Sequence, residues 1–176
     1  MKDHDSKKIK FRDKYRLESM RLKKWDYPSE GMYFITICTK DRACSLSKVV
    51  NDELQETETS KICVKCWQDL SVIYPDCILD AFVVMPNHVH GIIMIEAAMT
   101  VFRNKQRRNM LISKMIGRFK MQTAKQINQY QNTRGQSFWQ KNYYDRVIRN
   151  ELELNRIREY IENNPARWRD DENYIK

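Results

Sequence analysis

Two of the chain's three histidines stand at positions 88 and 90, within Met85-Pro86-Asn87-His88-Val89-His90-Gly91-Ile92. In a β-strand residues i and i+2 project from the same face, so both imidazoles would leave a rigid strand side by side. Each ring can offer one neutral nitrogen, which suits shared ligation of a metal ion. An apolar strand has no packing need for two such rings. The remaining histidine, His4, lies in a polar leader, so further ligands must come from Asp, Glu, Asn, Gln or water. Such an oxygen-rich set favours Mg²⁺ or Mn²⁺ over a closed structural zinc site. Tyr160 and Asn164 are spaced i, i+4 and share one helix face. A phenol can act as a nucleophile and an amide oxygen as a metal ligand, although a tyrosine in an amphipathic helix more often fills a core. Cys63-x-x-Cys66 is the other pair with metal or redox spacing. No second cysteine pair or suitably placed histidine accompanies it, and it reads as buried or half-buried thiols beside Trp67 and Leu70.

These residues need elements to hold them. Gly31 to Thr39 is rich in β-branched and aromatic residues and reads as a strand. Glu56 to Ile73 has helical spacing, with Ile62, Cys66, Leu70 and Ile73 on one side, and Pro75 closes it. Cys77 to Met85 reads as a second strand, Pro86-Asn87 as a tight connection, and His88 to Glu96 as a third strand. Arg103 to Asn109 is a polar, basic loop. A long amphipathic helix follows from about Met110 to Asn128, with Ile112, Met115, Ile116, Phe119 and Ile127 as its apolar stripe. Asn132-Thr133-Arg134-Gly135 ends that unit. Ser137 to Ile148 includes a strand-like aromatic stretch, Phe138 to Tyr144. A last helix spans Glu151 to Asn163, and Pro165 terminates it. The order β-α-β-β-α-β plus a C-terminal helix predicts an α+β, ferredoxin-like fold: an antiparallel sheet with helices on one face.

At 176 residues the chain is long enough for one well-formed core. Residues 1–24 read as a basic N-terminal arm and 25–176 as a single domain. No apolar run reaches membrane-spanning length, and the charged N-terminus lacks the apolar segment of a signal peptide. The five cysteines are scattered, which places the chain in a reducing cytoplasm. The net charge of +9 is uneven. Lys and Arg outnumber Asp and Glu 10 to 4 over residues 1–24 and 12 to 1 over 101–149, whereas residues 25–100 carry 5 against 11. A segment almost free of carboxylates points to a polyanion partner, most often nucleic acid.

The residues also carry a family resemblance. Met85-Pro86-Asn87-His88-Val89-His90-Gly91-Ile92 resembles the histidine–hydrophobic–histidine (HUH) motif of the single-tyrosine transposases. Phe138-Trp139-Gln140, the run Tyr143 to Glu151, and Arg158 to Pro165 resemble the tail segment of the REP-associated tyrosine transposase branch. Tyr33 to Thr39 also fits that branch. The likeness spans roughly residues 21–168, with several separated motifs in order. It implies that His88 and His90 bind a divalent metal, Mg²⁺ or Mn²⁺, and that Tyr160 is the nucleophile. Asn164 takes the position of a third ligand, often glutamine in relatives. Asp145-Arg146 stands where many relatives place a histidine. Tyr143 and Tyr144 are rival nucleophiles, read here as stacking or core residues.

The implied activity is cleavage and rejoining of single-stranded DNA, at hairpins, through a 5′-phosphotyrosine. The implied protein is a nucleoid-associated, cytoplasmic monomer or homodimer. Arg103, Lys105, Arg107, Arg108, Lys114, Arg118 and Lys125 are the candidate phosphate contacts. Trp25 and Tyr27 are either stacking residues or an anchor for the arm. The alternative is a non-catalytic single-stranded nucleic-acid-binding module of the same fold. A weaker third reading is a hydrolase using water.

Overall fold

The computed structural model describes residues 10–11, 14–15, 31–95 and 111–175. His4, Trp25, Tyr27, Arg103, Lys105, Arg107 and Arg108 lie outside the described residues. Near the N-terminus β1 (Lys10–Phe11) pairs antiparallel with β2 (Lys14–Tyr15).

The body is an antiparallel four-stranded sheet, made of β3 (Gly31–Cys38), β6 (Cys77–Val84), β7 (His88–Ile95) and β8 (Tyr144–Ile148) in the order β6-β7-β3-β8. Three helices complete it: α1 (Glu58–Ile73), α2 (Leu111–Tyr130) and α3 (Glu151–Asn163). Strand order and chain order together give the ferredoxin-like arrangement with an added C-terminal helix. A small hairpin, β4 (Lys48–Val50) with β5 (Glu53–Gln55), sits before α1. Its turn residues Asn51 and Asp52 both have positive φ, the conformation of a type I′ two-residue hairpin turn.

Side-chain alternation divides the sheet into two differently clothed faces. Tyr33, Ile35, Ile37, Val89, Ile93 and Ile95 join Trp67 and Leu70 of α1 and Met115, Ile116, Phe119 and Ile127 of α2 in one core. The other face carries Phe34, Ile92 and Met94, packed with Leu154, Ile157 and Ile161 of α3 and with Trp168. The two crossover helices therefore share one side, and α3 covers the other.

Local chemistry sets the ends of the helices. Thr57 and Ser60 form a reciprocal capping box at α1, and the Asn150 side chain accepts the Glu153 N–H at α3, satisfying otherwise orphaned backbone donors. Gly91 allows α1 to approach the sheet. A Cβ there would lie 2.5 Å from the Trp67 ring, and that ring stacks on Phe82 at 4.4 Å.

The aromatic segment departs from the sequence expectation. Regular pairing begins at Tyr144, while the residues before it contribute a single bridge, Trp139 to Thr39. Trp139 is instead buried, and its indole N–H donates to Thr123 Oγ1 at 2.8 Å. A buried tryptophan N–H usually finds a partner, and α2 supplies the acceptor here.

Candidate active site

His88 and His90 project from β7 toward α3, with ring centroids 4.4 Å apart. Across the ladder Cys38 stands opposite His88 and Thr36 opposite His90. Both rings are buried, and Phe34 stacks on His90 at 5.0 Å. Burial disfavours the charged imidazolium. It pushes His88 down to about 4 and His90 to about 3, with the neighbouring His88 adding to the second shift. Both rings are thus neutral near pH 7, the form that offers a lone pair. Asn87 Oδ1 lies 2.8 Å from His88 Nδ1. Thr36 Oγ1 lies 2.8 Å from His90 Nδ1.

Helix α3 lowers Tyr160 and Asn164 onto this pair. Its placement depends on a bulge in β6, where Asp80 and Ala81 together oppose Ile92 and the register shifts between Leu79 and Phe82. A bulge re-aims side chains locally. Here the Asp80 carboxylate receives Arg158 of α3 in bidentate fashion, Nε to Oδ1 at 2.9 Å and Nη2 to Oδ2 at 2.5 Å. Two residues on, the Tyr160 hydroxyl lies 3.3 Å from His90 Nε2.

A residue beyond α3 completes the cluster. The turn Trp168–Asp170 is anchored by the buried Trp168 ring and returns the chain toward β7. Asp171 Oδ2 then accepts the Tyr160 hydroxyl at 2.9 Å and Asn164 Nδ2 at 2.7 Å, and Oδ1 accepts the Asn173 N–H at 2.7 Å. Burial pushes the Asp171 carboxyl upward, but the Asn164, Asn173, His88 and Tyr160 interactions outweigh it and the net shift is downward. The phenol of Tyr160 is raised, first by burial and then by the Asp171 charge. At rest it is a neutral phenol and not a phenolate.

The donor set fits a divalent ion. Ligand atoms of His88, His90 and Asp171 lie within 4.8 Å of one another. His88 Nε2 and Asn164 Oδ1 are buried without a hydrogen-bond partner. Buried polar atoms are normally satisfied, so two such orphans at one cluster mark where a ligand belongs. Two nitrogens with carboxylate and amide oxygens suit a hard or borderline cation.

A cleft of about 710 Å³ opens beside Tyr160, lined also by Phe34, Arg42, Tyr144 and Arg146. The two tyrosines at the start of β8 part company here. Tyr144 opposes Thr36, is exposed and lines the cleft, whereas Tyr143 packs against the α1/α2 core. Thus His88, His90, Tyr160 and Asn164 come together in one place. The α2 cations do not join them. Lys114 and Lys125 are exposed on the helix layer covering the opposite face of the sheet, and Arg118 is half-buried with its Nε unpartnered.

Sequence reasoning missed Asp171, Asn87 and Thr36. Asn87 sat visibly within the histidine motif, and Thr36 follows once β3 and β7 are placed in register. Asp171 lies eleven residues past Tyr160, beyond Pro165, where no helical spacing connects the two.

Paired histidines on an antiparallel strand, faced by a helix-borne tyrosine, thus sit together on a ferredoxin-like sheet. Residues 29–164 match the family model described as "Transposase IS200 like", and the chain belongs to the IS200-like transposase family. It is 34% identical over 166 residues to an uncharacterized protein of Haemophilus influenzae, a match covering 89% of this chain and 92% of that protein. Among solved structures, a REP-associated tyrosine transposase bound to a REP hairpin shares the fold. The TM-score is 0.54 at 19% identity, covering 87% of this chain and 74% of that one.

Proposed function

We propose that this transposase cleaves and rejoins single-stranded DNA at hairpin-forming sequences, with Tyr160 as nucleophile and a divalent ion, Mg²⁺ or Mn²⁺, as cofactor. The observation that carries the reading is the Tyr160 hydroxyl, 3.3 Å from His90 Nε2 and hydrogen-bonded to Asp171. His88 and His90 would hold the ion, with Asp171 and Asn164 as the oxygen donors. When bound, it polarises the scissile phosphodiester and offsets charge on the phosphoryl oxygens.

The chain's own groups do the rest. Tyr160 Oη attacks phosphorus, the bond to the 3′-oxygen breaks, and a 5′-phosphotyrosine forms beside a free 3′-hydroxyl. The phenolic proton is already directed at Asp171 Oδ2, within reach for proton transfer, and ends on the departing 3′-oxygen. A phenol raised above its ordinary pKa of about 10 needs such assistance. The ester conserves the bond energy, so another strand's 3′-hydroxyl can reverse the step. The cleft beside Tyr160 offers Tyr144 as a stacking surface for an unpaired base. Arg103, Lys105, Arg107, Arg108, Lys114, Arg118 and Lys125 would contact the DNA backbone. The hairpin preference leans on the relative solved with a REP hairpin.

The test is to incubate a labelled single-stranded hairpin with the protein and Mg²⁺ or Mn²⁺ and to look for a denaturation-resistant protein–DNA adduct. An adduct lost in Tyr160→Phe is the expected result. Cleavage without adduct would favour a water-using hydrolase. Binding alone would favour the non-catalytic module.

A further inference from the structure

We propose that Asn87 is a positioning residue that fixes the proton of His88 on Nδ1 and so presents Nε2 as a ready metal ligand. This rests on the metal-assisted reading above and concerns a residue outside the reacting groups.

Asn87 is fully buried. Its Nδ2 donates to the Asn173 backbone carbonyl at 2.8 Å. A carbonyl can only accept, so the amide nitrogen must face Asn173 and the amide cannot turn over. The atom 2.8 Å from His88 Nδ1 is therefore the amide oxygen. That oxygen also only accepts, so Nδ1 carries the hydrogen. A neutral imidazole has one N–H, which leaves the lone pair on Nε2, the buried atom with no partner. The backbone is held as well. Asn87 O accepts both the Thr39 N–H at 2.9 Å and the Thr39 hydroxyl at 3.0 Å.

His90 provides the contrast. Its ring nitrogens meet hydroxyls rather than an amide oxygen, those of Thr36 and of Tyr160, whose own proton goes to Asp171. Partners that fix the tautomer of a ligating histidine typically change metal affinity about 10–100-fold when removed.

The rival role for Asn87 is purely structural, a clamp between the β6–β7 connection and the C-terminal segment. Losing a clamp lowers stability but does not move the His88 proton. The deciding experiment records long-range ¹H–¹⁵N spectra of ¹⁵N-histidine-labelled, metal-free protein at neutral pH, alongside Mn²⁺ titrations followed by electron paramagnetic resonance. In the wild type His88 is expected to be protonated at Nδ1. Asn87→Leu should move the proton toward Nε2 and weaken Mn²⁺ binding about 10–100-fold. Asn87→Asp keeps an acceptor toward Nδ1 but gives up the donor to the Asn173 carbonyl, so it should lower stability while retaining both the tautomer and the affinity. A wild-type His88 protonated at Nε2 overturns the proposal without recourse to any variant. So does an Asn87→Leu protein whose Mn²⁺ affinity is unchanged. An Nδ1-protonated wild type that binds neither Mn²⁺ nor Mg²⁺ would overturn the metal reading and leave the tautomer assignment standing.

Discussion

His88 and His90 are two neutral rings in a dry place, and that has a consequence for stability. In the unfolded chain both titrate near their ordinary value of 6.5, whereas in the fold they lie at about 4 and about 3. Below pH 6.5 the unfolded state therefore binds more protons, and stability falls as pH drops. Between pH 6.5 and 5 the loss is roughly 2 kcal/mol per histidine. Thermal unfolding of the metal-free protein across that range should show it, and Gln at both positions should flatten the dependence. At this scale the sequence was legible in part. The i, i+2 histidines and the i, i+4 Tyr160 and Asn164 announce themselves, because strand and helix periods translate spacing into facing. Asp171 carries no such signature. It reaches the site only because Trp168 buries itself under α3 and turns the chain back, a tertiary event with no local period.

At the scale of elements, β7 and α3 do the positioning, and each is fixed by a specific device. For β7 the device is the glycine that follows the histidine pair. Gly91→Ala would push a methyl to 2.5 Å from Trp67, and such overpacking costs about 1–3 kcal/mol. Chemical denaturation should register that loss. Gly117→Ala on α2 should behave oppositely, because an added Cβ there meets nothing within 4 Å. That substitution should stabilise by about 1 kcal/mol, because glycine is a poor helix former. For α3 the device is the Arg158–Asp80 fork at the β6 bulge. Arg158→Lys keeps the charge but loses the bidentate geometry. Its expected effect is slower adduct formation, with little change in melting temperature. The helix bounds of α3 could be read from Asn150 and Pro165 in advance. The bulge could not, since Leu79-Asp80-Ala81-Phe82 has no glycine or proline to mark it.

At the scale of the whole molecule, the α2 lysines lie on the opposite side of the sheet from the histidine cluster. The histidines, Tyr160 and Asp171 occupy the α3 side of the sheet, and Lys114 and Lys125 occupy the α1/α2 side. On the proposed function, a hairpin serving both would wrap an edge of the sheet, with its single-stranded part at the cleft and its duplex part toward α2. Lys114→Ala and Lys125→Ala should then weaken hairpin binding. Each should also reduce the salt dependence by about 0.9 in slope for every duplex phosphate it no longer neutralises. A short single strand reaching only the cleft should be bound as before. Equal weakening for both ligands would contradict this division. The order of elements foretold the fold, because one helical segment between the first two strands and another between the third and fourth leave few ways to bury both helices.

Covalent joining of Tyr160 to DNA is the step on which the proposed chemistry depends, and the most direct measurement maps the attachment. The adduct formed on a single-stranded hairpin in Mn²⁺ is digested with protease and nuclease, and the nucleotide-bearing peptide is sequenced by mass spectrometry. A 5′-nucleotide on Tyr160 is the expected result. A nucleotide on Tyr144, which shares the same cleft, or on Tyr143 would contradict it.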